Sequence, residues 1–348
     1  MYLSSLKRTY IIGVFSLLLM ILVLPLTIFI SQKQQDYRQH AAGTMNFPTD
    51  GEGLYEECKP SEGQPCYDHL SQMANAGFKL VLNYDGLYGD AASIMVYADH
   101  AQALGMKVIW SLNDQRIYTG SLTSTYPEIT GSCGCSDWPT FIKYFINLVK
   151  NHPATWGYSI GDEIDPADHA RLKAFSDVVH QADPNHPRLF IGSATGNSQT
   201  WSGTSPFYDT TDVIGDDFYP TGYVGNLPRT ATIAQGTQTY ADKYGIGSAM
   251  VLQSFNQNEY QSTTQICQPW PSCETFPTEQ QMQEQLTLTL QNMHPRLILW
   301  YSYFDIMRSD NPTQHWNDLL TAVKAVGIMI NPTITATLTP TVPIELTT

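Results

Sequence analysis

Asp162, Glu163 and Asp165 crowd the end of the stretch Trp156-Gly-Tyr-Ser-Ile-Gly-Asp-Glu-Ile-Asp-Pro166. The apolar lead-in reads as a short strand, and a strand has no packing reason to end in carboxylates, because unpaired buried charge is costly. Carboxyl groups in pairs can split a glycosidic bond: one donates a proton to the leaving oxygen, and the other attacks or activates water. Glu163 suits the proton donor, since like charges at Asp162 and Asp165 would raise its pKa. Asp165 has a plainer use. Followed by Pro166, it makes a helix N-cap with proline at the first helical position.

Further acids close other apolar runs. Asp85 stands in Asn83-Tyr-Asp-Gly86, Asp114 follows Asn113, Asp216 and Asp217 precede Tyr219-Pro220, and Asp305 ends Trp300-Tyr-Ser-Tyr-Phe-Asp305. Each could line a site, and each could simply shape a turn. Asn83 and Gln253 could bond sugar hydroxyls, and an aromatic such as Trp300 or Tyr219 could pack on the apolar face of a sugar ring. Other chemistries lack their signatures. The nine His form no H-x-H or H-E-x-x-H, so no metal is expected. No G-x-S-x-G elbow, G-x-G-x-x-G turn or P-loop occurs, so neither a serine hydrolase nor a nucleotide cofactor is expected. Charged residues make up only 14%, the net charge is −14 and no basic stripe appears, which argues against nucleic acid.

The elements that must position these groups alternate in type. Apolar, β-branched or aromatic runs fall at 53–57, 79–84, 107–112, 156–160, 188–191, 212–218, 249–255 and 297–304. Helical patterns follow at 67–76, 91–104, 138–150, 168–181, 231–244, 278–293 and 314–326, with a poorly marked one within 198–210. Eight such units predict a single (β/α)8 barrel over 46–330. Helix-to-strand connections are short and carry Gly or Pro, while strand-to-helix connections are long, notably 58–66, 113–137 and 256–277. That asymmetry is expected when one face of a barrel carries stability and the other function. His152, His186 and His294 each precede Pro at the short-loop face. The competing fold, an open doubly wound sheet, would want a phosphate-binding turn.

On these residues the chain resembles the clan A glycoside hydrolases. That superfamily of (β/α)8 enzymes ends its fourth strand with an acid/base Glu, matched by Glu163 in Asp162-Glu163. An Asp-x-Tyr-Pro at strand 6 is matched by Asp217-Phe-Tyr-Pro220, and a Trp flooring the sugar site on strand 8 by Trp300. The resemblance implies hydrolysis of O-glycosidic bonds in a poly- or oligosaccharide. It also implies a nucleophilic Glu at the end of strand 7, where this chain has Gln253. An amide cannot form a glycosyl-enzyme. Three readings stay open: a second carboxylate elsewhere, with Asp217 favoured over Asp85, Asp305 and Glu57; a site that binds sugar without cleaving it; or Glu259 reaching back.

Residues 11–30 form an uncharged apolar run preceded by Lys7 and Arg8. This predicts a membrane anchor over 10–30, a cytoplasmic 1–9 and an extracellular remainder, or a secreted protein if the segment is a cleaved signal. Residues 31–45 read as a linker and the Thr/Pro-rich 331–348 as a disordered tail. Cysteines pair locally as Cys58/Cys66, Cys133/Cys135 and Cys267/Cys273, which predicts disulfides in an oxidising compartment. The expected partners are thus a carbohydrate and, through 10–30, the membrane.

Overall fold

The computed structural model describes residues 45–327, apart from 195, 197–198, 222–225 and 257–275, and of residue 115 the backbone alone. Its centre is a closed barrel of parallel strands in the order β1 to β8. The strands are β1 (Gly51–Glu56), β2 (Leu80–Asn83), β3 (Lys107–Ser111), β4 (Thr155–Asp162), β5 (Arg188–Ser193), β6 (Val213–Phe218), β7 (Gly247–Gln253) and β8 (Leu297–Tyr301). Closure comes from β1 pairing with β8, Leu54 against Trp300. Inside pack Tyr55, Leu80, Leu82, Ile109, Trp156, Leu189, Ile191, Val213, Ala249, Val251, Leu297 and Leu299. They alternate along most strands, as the period of two demands.

The outer layer is α1 (Gln64–Ala76), α2 (Ala91–Ala103), α3 (Trp138–Val149), α4 (His169–Ala182), α5 (Arg229–Tyr244), α6 (Glu279–Asn292) and α7 (Pro312–Ala325). Their ends follow capping chemistry. Asp137 accepts from the Thr140 N–H at the start of α3, Thr278 and Gln281 form a reciprocal capping box on α6, and Gly77 and Gly245 end α1 and α5 in the left-handed conformation. Along α3, Phe141, Ile142, Phe145, Ile146 and Val149 share one buried face, the helical stripe that seats it on the barrel. Between β5 and β6 the described residues hold only a 3-10 turn, Phe207–Asp209.

Five strands end earlier than their apolar runs predict, β1, β2 and β3 by one residue and β7 and β8 by more. β8 stops at Tyr301 because the Ser302 side chain caps a short helix, Tyr303–Arg308. β7 stops at Gln253. Cys58–Cys66 and Cys133–Cys135 are disulfides, while Cys267 and Cys273 lie outside the described residues. So do the predicted anchor 10–30, the linker and the tail. Among the described residues, no helix is long and apolar enough to cross a membrane. At the short-loop face His152 bonds Asp99 at 3.0 Å and His186 bonds Asp183 at 2.6 Å, so both serve the scaffold.

Candidate functional site

The carboxyl end of β4 is built by an irregularity. Ser159 pairs with Leu189 and Asp162 with Ile191, yet Gly161 already pairs with Phe190. Three steps on β4 therefore match two on β5, a bulge that re-aims the following side chain. Leu189 and Ile191 face the interior, so the shift turns Asp162 inward. Gly161 makes this possible: a Cβ there would lie 2.8 Å from Cδ2 of Phe190. The next residue, Glu163, has φ 49°, the one non-glycine residue with positive φ among those described. Left-handed backbone disfavours a side chain by about 1–2 kcal/mol, and such strain concentrates at functional sites. The Glu163 N–H donates to the Ile191 carbonyl at 2.9 Å, which ties the strained residue to β5.

Across the mouth, β6 brings Asp217. It shares parity with Val213, which is inside, while Asp216 turns outward to accept from Thr237 Oγ1 at 2.7 Å and the Thr200 N–H at 3.3 Å. Asp217 is 6% exposed. Burial, the negative charge of Glu163 and Asp162, and a side-chain hydrogen bond with Glu163 push its carboxyl well above the usual range. Asp217 therefore holds its proton more tightly than an ordinary carboxyl, beside Glu163, which is exposed. The third member, Asp162, accepts from Tyr84 Oη at 2.5 Å. Burial raises its pKa to about 7 against the opposing effect of that hydrogen bond. Asp162 and Asp217 thus both keep a proton more readily than a free carboxyl.

Tyrosine rings surround the carboxyls. Tyr55 lies 5.1 Å from Tyr84 and 5.0 Å from Tyr301 between centroids. Tyr219 lies 5.9 Å from Tyr301 and 4.9 Å from Phe255. Burial first, then the nearby carboxylate charge, pushes the phenols of Tyr55, Tyr84 and Tyr219 far above their ordinary value, so these rings stay neutral. The arrangement sets aromatic rings beside one exposed, one half-buried and one buried carboxyl at the end of the barrel where such folds place their chemistry.

The structure brings Asp162, Glu163, Asp217 and Tyr219 together and sends other candidates elsewhere. Trp300 is 0% exposed. It faces the opposite way from Leu299 and Tyr301, and its Nε1 donates to Glu52, so it cannot floor a sugar site. Gln253 is also 0% exposed: its amide donates to the Thr221 and Phe255 carbonyls and accepts from the Thr221 N–H. Asn83 is spent likewise on the backbone of Cys58 and Asp85. Asp305 is 3% exposed and shares a hydrogen bond with the helix cap Ser302. Asp114 pairs with Arg116 at 2.7 Å and with Tyr126; burial pushes it up, but those hydrogen bonds outweigh burial and lower its pKa. Asp85 stays at the mouth, half-buried, and burial raises its pKa. Asp165 caps as predicted, accepting from Ala167 at 2.8 Å. Glu57 pairs with Arg308 at 2.8 Å, and Glu259 lies outside the described residues. The mouth residues not foreseen are Tyr55, Tyr84 and Tyr301.

No protein-family model and no curated protein matches the sequence. Solved structures do match the fold. A putative alpha-L-fucosidase from Bacteroides thetaiotaomicron superposes with TM-score 0.52 at 10% identity, over 82% of this chain and 94% of that one. A GH2 beta-galacturonidase from Eisenbergiella tayi gives TM-score 0.54 at 11% identity, over 82% of this chain and 52% of that one. A glucuronidase from Ruminococcus gnavus in complex with D-glucuronic acid gives 0.51 at 12%, over 80% and 49%. The chain thus spans about half the length of the two uronidases. The likeness is one of fold: the chain is a closed barrel of eight parallel strands.

Proposed function

We propose that the chain binds an oligo- or polysaccharide at the carboxyl end of its barrel and hydrolyses an O-glycosidic bond there. Asp217 and Glu163 are the two carboxyl groups in this reading, and Asp162, Tyr84, Tyr219 and Tyr301 form the walls. The observation that carries it is the meeting of Asp162 and Glu163 at the end of β4 with the buried Asp217 of β6, near enough that their charges raise the Asp217 pKa. The roles follow from burial. Asp217, held protonated on a strand, is the proton donor; Glu163, exposed at the loop edge, is the carboxylate that attacks or activates water. This reverses the assignment expected from the acid cluster on β4, because neighbours along the chain matter less than burial.

In this structure Glu163 lies beside Asp217. Hydrolysis needs them about 5–5.5 Å apart for a retaining enzyme and about 6.5–9.5 Å for an inverting one. A glycosidic oxygen entering as acceptor of the Asp217 proton would displace Glu163, whose side chain lies at the solvent edge. A second reading, binding without cleavage, is favoured by Gln253. On the strand where clan A enzymes keep their nucleophile, this amide is locked to two backbone carbonyls. The extracellular placement and the anchor at 10–30 belong to the same proposal and rest on the apolar run and the local cysteine pairs.

The test is a glycan panel against the full-length chain in detergent, with Glu163→Gln and Asp217→Asn beside it and released reducing ends as the readout. Release by the parent and its loss in both variants supports hydrolysis. Equal release by all three removes this pair from the mechanism. Binding without release supports the second reading.

A further inference from the structure

We propose that the joint between β1 and α1 becomes a zinc site when the Cys58–Cys66 disulfide is reduced, with Cys58, Cys66, His69 and Glu56 as its ligands. The side chains already converge. The Cys58 sulfur, a Glu56 carboxylate oxygen and a His69 ring nitrogen all lie within 4.8 Å of one another, and so do the Cys58 and Cys66 sulfurs and a Glu62 oxygen. The elements explain the meeting. β1 turns Tyr55 into the barrel, so by the period of two Glu56 faces the helix layer. Cys66 and His69 stand about one turn apart on one side of α1, and Cys58 reaches Cys66 across a Cα–Cα distance of 5.5 Å.

Glu56 carries the second argument. It is 1% exposed. Its Oε1 accepts from the Glu57 N–H at 2.9 Å and stands 3.5 Å from His69 Nδ1. Its Oε2 and that ring nitrogen have no hydrogen-bond partner among the described residues. A buried carboxylate oxygen left so is costly, and a cation beside it recovers the loss. Glu62 is exposed, so Glu56 is the better fourth ligand. Two thiolates, an imidazole and a carboxylate suit tetrahedral zinc, with Zn–S of about 2.3 Å and Zn–N of about 2.0–2.1 Å. Those lengths set neighbouring ligand atoms about 3.3–3.8 Å apart, inside the 4.8 Å spread of the cluster. In the disulfide the two sulfurs hold each other, and the set is incomplete. A dithiol supplies the electrons. Its thiolate attacks one cystine sulfur, the S–S bond breaks, and its second thiol then leaves with the first as a cyclic disulfide. Two electrons have passed to Cys58 and Cys66, and each sulfur takes a proton. Zn²⁺ displaces both protons to solvent as it binds, and supplies the counter-charge that buried thiolates need.

The test uses the full-length chain in detergent at pH 8, reduced with a phosphine because a dithiol would itself hold zinc, and freed of it by gel filtration without oxygen. Equimolar Zn²⁺ or EDTA is added, thiols are alkylated with iodoacetamide, and each cysteine is read by peptide mass spectrometry. Zinc is expected to protect Cys58 and Cys66 and to leave Cys133, Cys135, Cys267 and Cys273 as reactive as in EDTA. Co²⁺ in place of zinc is expected to give thiolate-to-cobalt charge-transfer absorption and the visible bands of a tetrahedral ion. His69→Ala is expected to lower zinc affinity at least about tenfold, the least that loss of even an outer partner costs such a site. The oxidised chain is expected to show none of these signals. No zinc-dependent protection of Cys58 and Cys66, protection spread equally over all six cysteines, or a cobalt spectrum without thiolate bands overturns the site. So does His69→Ala binding zinc as tightly as the parent, or an oxidised chain binding it as tightly as the reduced one.

Discussion

Replacing Glu52 by Gln tests the placement of Trp300 in the barrel wall. Glu52 is 4% exposed. Its Oε1 accepts from Trp300 Nε1 and its Oε2 has no hydrogen-bond partner among the described residues. Burial, opposed by that hydrogen bond, pushes its pKa from 4.5 to about 7. A carboxyl whose folded pKa is raised keeps its proton longer in the folded state. Its effect on stability is nil below about pH 4, and it costs progressively more as pH rises towards 7, because the unfolded chain then binds fewer protons. A shift from 4.5 to about 7 corresponds to about 3 kcal/mol at pH 8, from about 1.4 kcal/mol per unit. Glutamine keeps the acceptor for Trp300 and has no charge to desolvate. Urea unfolding of parent and Glu52→Gln from pH 4 to pH 8.5 reads the difference directly, and other titrating groups cancel between the two. The variant is expected to match the parent near pH 4 and to exceed it by about 3 kcal/mol at pH 8. A difference that does not change with pH would refute the assignment, as would a variant less stable than the parent at pH 8.

Glu163→Gln or Asp217→Asn is expected to lower glycoside release about 10²–10⁴-fold, the usual contribution of a positioned acid or base, with near-ultraviolet dichroism unchanged. Gln253→Glu is expected to create no activity and to destabilise by about 2 kcal/mol in urea unfolding, since a carboxylate would face the carbonyls of Thr221 and Phe255 that the amide now satisfies. Glu163→Gly is expected to raise stability by about 1 kcal/mol, by releasing a left-handed backbone position, while abolishing hydrolysis. Gly161→Ala is expected to cost about 1–3 kcal/mol by overpacking against Phe190, and to weaken sugar binding by moving Asp162.

The barrel was legible because its signals are local and repeated: apolar runs, helix stripes, caps, and loops of unequal length on the two faces. The lining was less legible, and the misses share a cause. On a strand, facing alternates with every residue, so an error of one position exchanges the site for the helix layer. Asn83 and Trp300 drew notice for their chemistry, but the inward parity runs Leu80, Leu82, Tyr84 on β2 and Leu297, Leu299, Tyr301 on β8. Counting by two from the aliphatic residues would have found both tyrosines. On β4 the same count fails, because the register shifts twice, opposite Val108 and Ile109 and again between Ser159 and Gly161, so Trp156 and Asp162 face inward although Tyr158 between them bonds Asp183, and only the glycines at 157 and 161 hint at it. Which of Glu163 and Asp217 holds the proton was hidden for another reason. Like charges adjacent in sequence made Glu163 look like the acid, whereas the structure leaves Glu163 at the solvent edge and buries Asp217. Desolvation is the largest cause of the Asp217 shift, and it depends on the loops and rings that close over a strand end, which no count along the chain reveals. A carboxyl pair drawn from two strands therefore has its roles divided by depth in the barrel, with the deeper member keeping the proton.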